Sequence, residues 1–281
     1  PRVLELSEPS QLLAATHAYG TNGVIVAVEF PLAPATEWMD LVCAFPEMEN
    51  AVRCGFALAE SPGVAVRNVS LLESSILQLP GFAPLVRDVP GACIGAATLL
   101  LTAAAESLAP VRQLVAGLGG TVELEPPKKH RRPLHEYCWN HTTLRALQAD
   151  PSITYQQVGY SFEPDIVENI MHIHKMFAES GELLTHLEWV RLGKQMGVFG
   201  LPLQRYQDET RLNQVIAEIE ATGRAFVLNP HTYVLEDGGM KQTNVAQLEF
   251  KRRNDPFGLL NPGKMRAYEE GRPTGAGEAG H

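Results

Sequence analysis

Apolar residues recur along the middle of this chain in two patterns, one alternating and one at helical spacing. Runs rich in β-branched and apolar residues indicate strands, and runs with apolar residues three and four apart indicate helices. The first round of elements is predicted in this order: strand Trp38–Phe45, helix Glu47–Glu60, strand Val64–Leu71, strand Ala92–Thr102, helix Ala103–Leu118 and strand Thr121–Leu124. A linker rich in proline and lysine follows over residues 125–134.

A second round of elements follows the linker. Gly193 separates two of its strands and predicts a hairpin. The order is strand Ile153–Tyr160, helix Pro164–Ala178, strand Leu183–Arg191, strand Gln195–Leu203, helix Asp208–Thr222 and strand Ala225–Asn229. This order is the ferredoxin-like split β-α-β pattern, which the first round matches approximately. The predicted fold class is therefore α+β, with a wide antiparallel ferredoxin-like sheet and helices on one face.

The two ends of the chain show a different pattern. A helix is predicted over residues 8–19, and a strand over Val24–Phe30 follows the glycine-rich break after it. Near the other end, a helix over Val245–Arg253 precedes a tight loop. We expect residues 1–35 to end one domain, 36–243 to form a second domain, and 244–268 to return to the first. Residues 269–281, rich in Gly, Glu and Pro, are expected to be disordered.

Charge and composition exclude several classes of function. The formal net charge is −9, which argues against binding to nucleic acid or to an anionic membrane surface. The longest apolar run, over residues 93–105, is too short to span a membrane. No signal peptide is visible, and none of the four cysteines forms a Cys-x-x-Cys pair. A reducing, cytoplasmic location is therefore expected.

Two segments at opposite ends of the chain carry the most informative chemistry. One is Tyr19-Gly20-Thr21-Asn22-Gly23-Val24-Ile25-Val26, and the other is Asp255-Pro256-Phe257-Gly258-Leu259-Leu260-Asn261-Pro262-Gly263-Lys264. Glycines let backbone N–H groups approach a cofactor without a Cβ in the way, and proline with glycine holds a fixed loop. The apolar residues after the first turn would form a wall against an aromatic ring system.

Together these segments resemble those of the vanillyl-alcohol-oxidase superfamily of flavoproteins, and within it the D-lactate and glycolate dehydrogenase type. The resemblance implies FAD as cofactor, with most of it held by a further N-terminal flavin-binding domain or subunit. Because the chain starts at Pro1 and has no second glycine-rich loop, we expect it to be cut from a longer protein and not to retain FAD alone. The cofactor contacts that the resemblance implies are Gly20, Thr21, Gly23, Val24, Ile25, Asn261 and Lys264. Because both segments would touch one flavin, we expect residues 20–25 and 261–264 to lie close in space, with the helix over residues 245–253 docked beside the strand over residues 24–30.

The candidate catalytic residues lie in two other segments. Glu236 aligns with the glutamate of the relatives' Glu-His-Gly-Ile-Gly motif, whose histidine serves in substrate oxidation, but Asp237 stands where that histidine would be. His231 lies a few residues earlier and could substitute for it. Strand alternation places His186 and Glu188 on one face, where they could bind a metal or orient a substrate hydroxyl. The relatives' metal-binding Gly-His-x-Gly-Asp-Gly-Asn-x-His segment is lacking, so no metal is predicted. We expect His231, His186 and Glu188 to converge on one pocket.

These observations predict the C-terminal, substrate-binding portion of an FAD-dependent oxidoreductase. The intact protein would oxidise an alcohol or hydroxy acid, a small molecule, by hydride transfer to flavin, with His231 or His186 removing the hydroxyl proton. Glu236 would orient that histidine. The polar and aromatic segment 137–142 either lines the substrate pocket or caps the next helix. The alternative is a non-catalytic ferredoxin-like module, or a subunit completed by a separate flavin-binding chain.

Overall fold

The structure is a computed structural model that describes residues 3–124, 132–238 and 245–271. The chain forms two compact units. The larger unit comprises residues 34–227, and the smaller one comprises residues 1–33 together with 228–281. Most of the predicted linker over 125–134 and most of the predicted disordered tail lie outside the described residues. Glu269 and Glu270 of that tail belong to a helix, so the predicted disorder is wrong for them.

The described elements agree closely with the predicted order of strands and helices. The helices are α1 (Pro9–Ala15), α2 (Met48–Glu60), α3 (Ser74–Leu77), α4 (Ala83–Asp88), α5 (Leu108–Gly117), α6 (Asn140–Ala149), α7 (Ile166–Ala178), α8 (Glu209–Ala221), α9 (Val245–Asn254) and α10 (Arg266–Glu270). The strands are β1 (Trp38–Phe45), β2 (Val66–Glu73), β3 (Ala97–Ala104), β4 (Thr121–Leu124), β5 (Ile153–Tyr155), β6 (Gln157–Tyr160), β7 (Leu183–Leu184), β8 (His186–Leu192), β9 (Gln195–Gly200), β10 (Leu203–Arg205) and β11 (Ala225–Leu228).

The larger unit is built on one eight-stranded sheet, in the order β11-β6-β9-β8-β2-β3-β1-β4. This order contains two ferredoxin-like halves, one formed by β1-α2-β2-β3-α5-β4 and the other by β6-α7-β8-β9-α8-β11. The halves join edge to edge through antiparallel pairing of β2 with β8. The α+β prediction of a wide ferredoxin-like sheet is confirmed. Gly193, with φ of 65°, makes the predicted hairpin turn between β8 and β9.

Both faces of the sheet are covered. Helices α2, α5, α7 and α8 pack on one face, where residues such as Leu99 and Leu101 of β3 point into the main core. The alternate residue, Leu100, points into a second core on the other face. Helices α3, α4 and α6 and a small sheet of β5, β10 and β7 contribute to that second layer. Helices on one face were predicted correctly, but the second layer was not predicted.

Strand β3 begins five residues later than predicted. Residues Pro90–Cys93 form a short 3₁₀ turn, and Gly95 has φ of 110°. A Cβ on Gly95 would lie 2.2 Å from the carbonyl oxygen of Phe45. The chain therefore needs glycine at this close approach before it can enter the sheet, and the apolar pattern alone did not reveal that break.

The smaller unit corrects two predictions. Val24–Phe30 is not a strand: residues 24–30 pair with no strand in the described part of the chain. β-branched residues favour an extended backbone, but a strand also needs a neighbour to satisfy its N–H and C=O groups. The predicted helix 8–19 is shorter, since α1 ends at Ala15.

Helix α9 packs against α1 and the turn that follows it, and not against residues 24–30 as predicted. Asn22 Nδ2 donates to the carbonyl oxygen of Gln247 at 2.9 Å. Gln247 Nε2 donates to the carbonyl oxygen of Thr16 at 3.0 Å. Polar contacts therefore dock this helix, which explains why its few apolar residues were a poor guide to its partner.

Candidate functional site

The two informative segments at opposite ends of the chain meet within the smaller unit. Asn261 Nδ2 donates a hydrogen bond to the carbonyl oxygen of Tyr19, and a Cβ on Gly20 would lie 3.6 Å from the same nitrogen. The predicted proximity of residues 20–25 and 261–264 is confirmed. Tyr19, Gly20, Asn261 and Gly263 have positive φ values of 50°, 72°, 44° and 77°. Such backbone geometry is costly for Tyr and Asn and concentrates at functional sites.

The side chain of a buried lysine forms hydrogen bonds to both of these segments. Lys251 of α9 is 2% exposed, and its ammonium donates to three oxygens. These are the carbonyl of Thr21 at 2.9 Å, Asp255 Oδ2 at 2.5 Å and the carbonyl of Leu260 at 2.8 Å. One side chain thus ties the glycine turn to the Asn261 loop. An ammonium has three donors, and all three are used.

Asp255, the first residue of the C-terminal motif, organises the loop that ends at Asn261. Its carboxylate accepts from the backbone N–H groups of Leu259 at 2.9 Å and Leu260 at 2.8 Å, as well as from Lys251. Burial alone would raise the pKa of this carboxyl group, but the hydrogen bonds from Lys251, Leu260 and Leu259 lower its pKa below the ordinary value. The carboxylate is therefore held in its charged form.

The other predicted cofactor contacts differ in exposure. Thr21 is completely buried and donates to the carbonyl oxygen of Ala18 at 2.5 Å, so its side chain points inward. Val24 and Ile25 are 76% and 68% exposed. The Lys264 ammonium lies 5.2 Å from the centre of the Tyr233 ring, a cation–π contact.

The His231 segment lies in the smaller unit as well. His231 is exposed, and its backbone N–H donates to Asn229 Oδ1 at 2.9 Å. The two carboxylate oxygens of Glu236 accept from the backbone N–H groups of Arg266 and Ala267 at 3.0 and 3.1 Å. Glu236 therefore caps the start of α10.

The other candidate pair, His186 and Glu188, lies in the larger unit. His186 Nε2 lies 2.8 Å from Glu188 Oε1, so the predicted shared face is confirmed. Both side chains have no exposed surface, and His186 Nδ1 is 3.2 Å from the carbonyl oxygen of Leu201. The expectation that His186 lines an open pocket, together with His231 and Glu188, is therefore wrong for His186.

A polar cleft of about 340 Å³ opens on the sheet face opposite helices α2 and α5. It is lined by residues from three adjacent strands and from the segment before α6: Trp38, Asp40, Arg67, Asn68, Thr102, His135 and Trp139. Asp40 accepts from Thr102 Oγ1 at 3.2 Å and from the backbone N–H of Leu134 at 3.1 Å. These two hydrogen bonds fix the Asp40 carboxylate in the wall of the cleft.

Arg67 reaches this cleft because the strand that carries it is irregular. The pairing of β2 with β3 shifts register between Val66 and Asn68, which leaves Arg67 as the extra residue of a β-bulge. A bulge redirects a side chain that strict alternation would place on the other face. Arg67 is exposed, and its guanidinium forms no hydrogen bond or ion pair with any residue that the structure describes. Its guanidinium is available to an anionic group.

Trp139 supports the prediction that segment 137–142 lines a pocket. Its indole, 39% exposed, forms part of the cleft wall. No side-chain hydrogen bond caps the start of α6, so the capping alternative is not the arrangement observed. Thr142 Oγ1 instead donates to the carbonyl oxygen of Tyr137 at 2.6 Å.

Sequence reasoning missed Lys251 and most of the cleft. Lys251 opens a Lys-Arg-Arg run that reads as an exposed basic face, and nothing in the sequence marks it as buried. A signal did exist for Asp40 and Thr102, which are polar residues inside otherwise apolar predicted strands. The bulge at Arg67 has no such signal.

No protein-family model matches the sequence, and no curated protein matches it. An alkyldihydroxyacetonephosphate synthase structure matches with a TM-score of 0.54 and 12% identity, over 87% of this chain and 47% of that chain. The 4-ethylphenol oxidase from Gulosibacter chungangensis, in its isoeugenol complex, matches with a TM-score of 0.50 and 15% identity, over 81% and 53%.

The chain shares its fold with these two structures and spans about half of their length. Within residues 3–124, 132–238 and 245–271, no helix combines the length and apolar character that a membrane crossing requires.

The smaller unit has features that would suit a flavin. A Cβ on Gly23 or Gly263 would meet no atom within 4 Å, so the backbone there can be approached closely. Val24 and Ile25 present apolar surface of the kind that packs on a flavin ring. Asn261 uses its Nδ2 on Tyr19, which leaves its exposed amide oxygen as an acceptor. Thr21 points inward, so only its backbone could contribute.

Proposed function

We propose that this chain is the C-terminal, substrate-binding portion of an FAD-dependent oxidoreductase that oxidises an alcohol or hydroxy acid. The observation that carries the proposal is the contact of Tyr19 and Gly20 with Asn261. The two segments that this contact joins, more than two hundred residues apart in sequence, are the ones that resemble flavin-contact segments of the superfamily. FAD bound there would accept the hydride of the substrate.

Within the proposal, each side chain has a defined task. Asn261 would accept a hydrogen bond from the flavin, and Lys264 would complement negative charge on the reduced cofactor. The apolar side chains of Val24 and Ile25 would pack against the flavin ring. Gly20 and Gly23 would let the backbone approach the cofactor. An N-terminal flavin-binding domain or subunit would supply the rest of the cofactor-binding site.

We assign the substrate surface to the polar cleft of the larger unit. Two indoles and the guanidinium of Arg67 suit a small organic molecule that carries an anionic group, such as a hydroxy acid. His231 is the better candidate for the base that removes the hydroxyl proton, because it is exposed, whereas His186 is buried. Glu236, whose oxygens also cap α10, would orient His231.

The intact protein that carries this chain provides the test. We expect bound flavin in its visible spectrum, and anaerobic bleaching of that flavin by one member of a panel of 2-hydroxy acids and neutral alcohols. Asn261→Ala should weaken flavin retention by about 2- to 10-fold, the loss of one hydrogen bond. Asn254→Ala is the matched control, because Asn254 donates to the carbonyl oxygen of Phe250 within α9.

Two results would overturn the proposal. An intact protein that takes up no FAD would favour a non-catalytic ferredoxin-like module. An Asn261→Ala protein with unchanged flavin content and unchanged reduction rate would remove Asn261 from the cofactor site.

A further inference from the structure

Among the described residues of the larger unit other than glycine, a residue of the cleft wall is the one with a positive φ. Trp139 has φ of 54° and ψ of −142°, a conformation that a bulky side chain rarely adopts. Strained backbone of this kind persists only where the surroundings hold it in place. Something next to Trp139 must therefore compensate for its conformation.

The compensating group is the carboxylate of Glu188. The backbone N–H of Trp139 donates to Glu188 Oε1 at 2.5 Å. The same oxygen accepts from Ser70 Oγ at 2.6 Å and lies 2.8 Å from His186 Nε2. Glu188 Oε2 is buried and has no hydrogen-bond partner among the described residues. All the hydrogen bonding of this carboxylate thus passes through the oxygen that holds Trp139.

The surroundings fix the carboxylate itself. Ser70 and Glu188 are direct partners in the pairing of β2 with β8, so the strands place their side chains together. Both ring nitrogens of His186 face oxygen acceptors, Leu201 O and Glu188 Oε1. These two contacts fix the orientation of the imidazole ring. The pair is therefore held rigidly within the sheet.

We infer that Glu188 is a positioning residue that holds Trp139 in its strained conformation and so fixes the indole on the wall of the cleft. His186 and Ser70 act through Glu188 by keeping its carboxylate in place. The pair that the sequence suggested for catalysis thereby sets the shape of the substrate surface without touching the substrate. This inference rests on the proposed function only in treating the cleft as the substrate surface.

Tryptophan fluorescence can test the inference without turnover or flavin, which separates its failure from failure of the proposed function. The chain has three tryptophans, Trp38, Trp139 and Trp189. Replacing Trp38 and Trp189 by Phe leaves Trp139 as the only tryptophan of the chain, and any tryptophan that the intact protein carries outside this chain is replaced by Phe in the same parent. Trp189 Nε1 is buried with no hydrogen-bond partner among the described residues, so phenylalanine there removes an unpaired donor.

In this background, Glu188→Ala should make Trp139 more accessible to acrylamide. Because 39% of the Trp139 side chain is exposed, complete release would raise the quenching constant by about 2.5-fold at most. Glu188→Gln retains an acceptor oxygen for the Trp139 N–H and should restore most of the parent signal. Glu182→Ala is the matched control, because it removes another buried carboxylate of the same unit, one that pairs with Arg211.

Unchanged quenching and emission of Trp139 in a cooperatively folded Glu188→Ala protein would overturn the inference. An equal effect of Glu182→Ala would also overturn it, since that result indicates general loosening. If Glu188→Ala does not fold, Glu188→Asp keeps the charge beside His186 but withdraws the carboxylate from Trp139. The same quenching criteria then apply to Glu188→Asp.

Discussion

Removal of the Lys251 ammonium is expected to weaken the smaller unit strongly. Lys251→Ala would leave the Asp255 carboxylate buried without its cation, and the carbonyl oxygens of Thr21 and Leu260 without their donor. Loss of one partner of a buried ion pair typically costs about 3–5 kcal/mol. At about 1.4 kcal/mol for each tenfold change, local opening should become more frequent by roughly two to four powers of ten.

Hydrogen exchange measured by mass spectrometry is the suitable assay. The three tryptophans all lie within residues 34–227, so fluorescence does not report on the smaller unit. Peptides that contain Leu259 and Leu260 carry N–H groups bonded to Asp255. We expect exchange of these N–H groups to accelerate, up to the limit set by the stability of the unit, whereas peptides from the eight-stranded sheet should not change.

An exposed lysine provides the control for this experiment. Lys175→Ala on α7 removes a lysine from the surface of the larger unit and should change exchange very little. If Lys251→Ala alters exchange of the Leu259 and Leu260 peptide by less than about threefold, worth roughly 0.6 kcal/mol, the buried ion pair does not stabilise the loop. The role assigned to Lys251, that of holding the glycine turn and the Asn261 loop together, would then be wrong.

Two further predictions concern acid stability and packing. Hydrogen bonds lower the pKa of Asp255 in the folded state. Its contribution to the stability of the smaller unit is therefore fully present above the pKa of an unfolded aspartate, about 3.9, and is lost as the pH falls through the lower pKa of the folded state. Hydrogen exchange of the smaller unit should therefore accelerate over this pH range in the unaltered protein, and by a smaller factor in the Asp255→Asn variant. Gly55→Ala should cost about 1–3 kcal/mol in urea unfolding, because its Cβ would lie 2.1 Å from buried Trp189. Gly159→Ala should cost less, since Phe226, at the same 2.1 Å, is 52% exposed and can move.

The repeated strand and helix order could be predicted because each element of the larger unit carries its own signal. Strand β1 has the predicted bounds, Trp38–Phe45, since its apolar residues are stopped by Pro46. The layer on the opposite face was not predicted, because α3 and α4 are short helices among prolines and glycines. Such segments obtain their structure from packing onto the sheet and not from local periodicity.

Some features of the candidate site could likewise be predicted from the sequence, and others could not. Asn261 was predicted from a long motif, and its contact with Tyr19 confirms that the two ends meet. Alternation along a strand predicted that His186 and Glu188 share a face, but not that they are buried. Burial depends on Ser70 and the segment before α6, which are distant in sequence. A bulge such as the one at Arg67 depends on the partner strand and cannot be deduced from one strand alone.

The junction of β2 with β8 selects one alignment of the two ferredoxin-like halves. Its partners are Ser70 with Glu188, Leu71 with Leu187, and Leu72 with His186. A slip of one residue would turn Glu188 into the apolar layer under the helices and would bring Leu187 to the polar face. Because a buried carboxylate without donors is costly, misaligned assembly of the halves is disfavoured. The polar residues at the junction therefore also specify how two similar halves become one sheet.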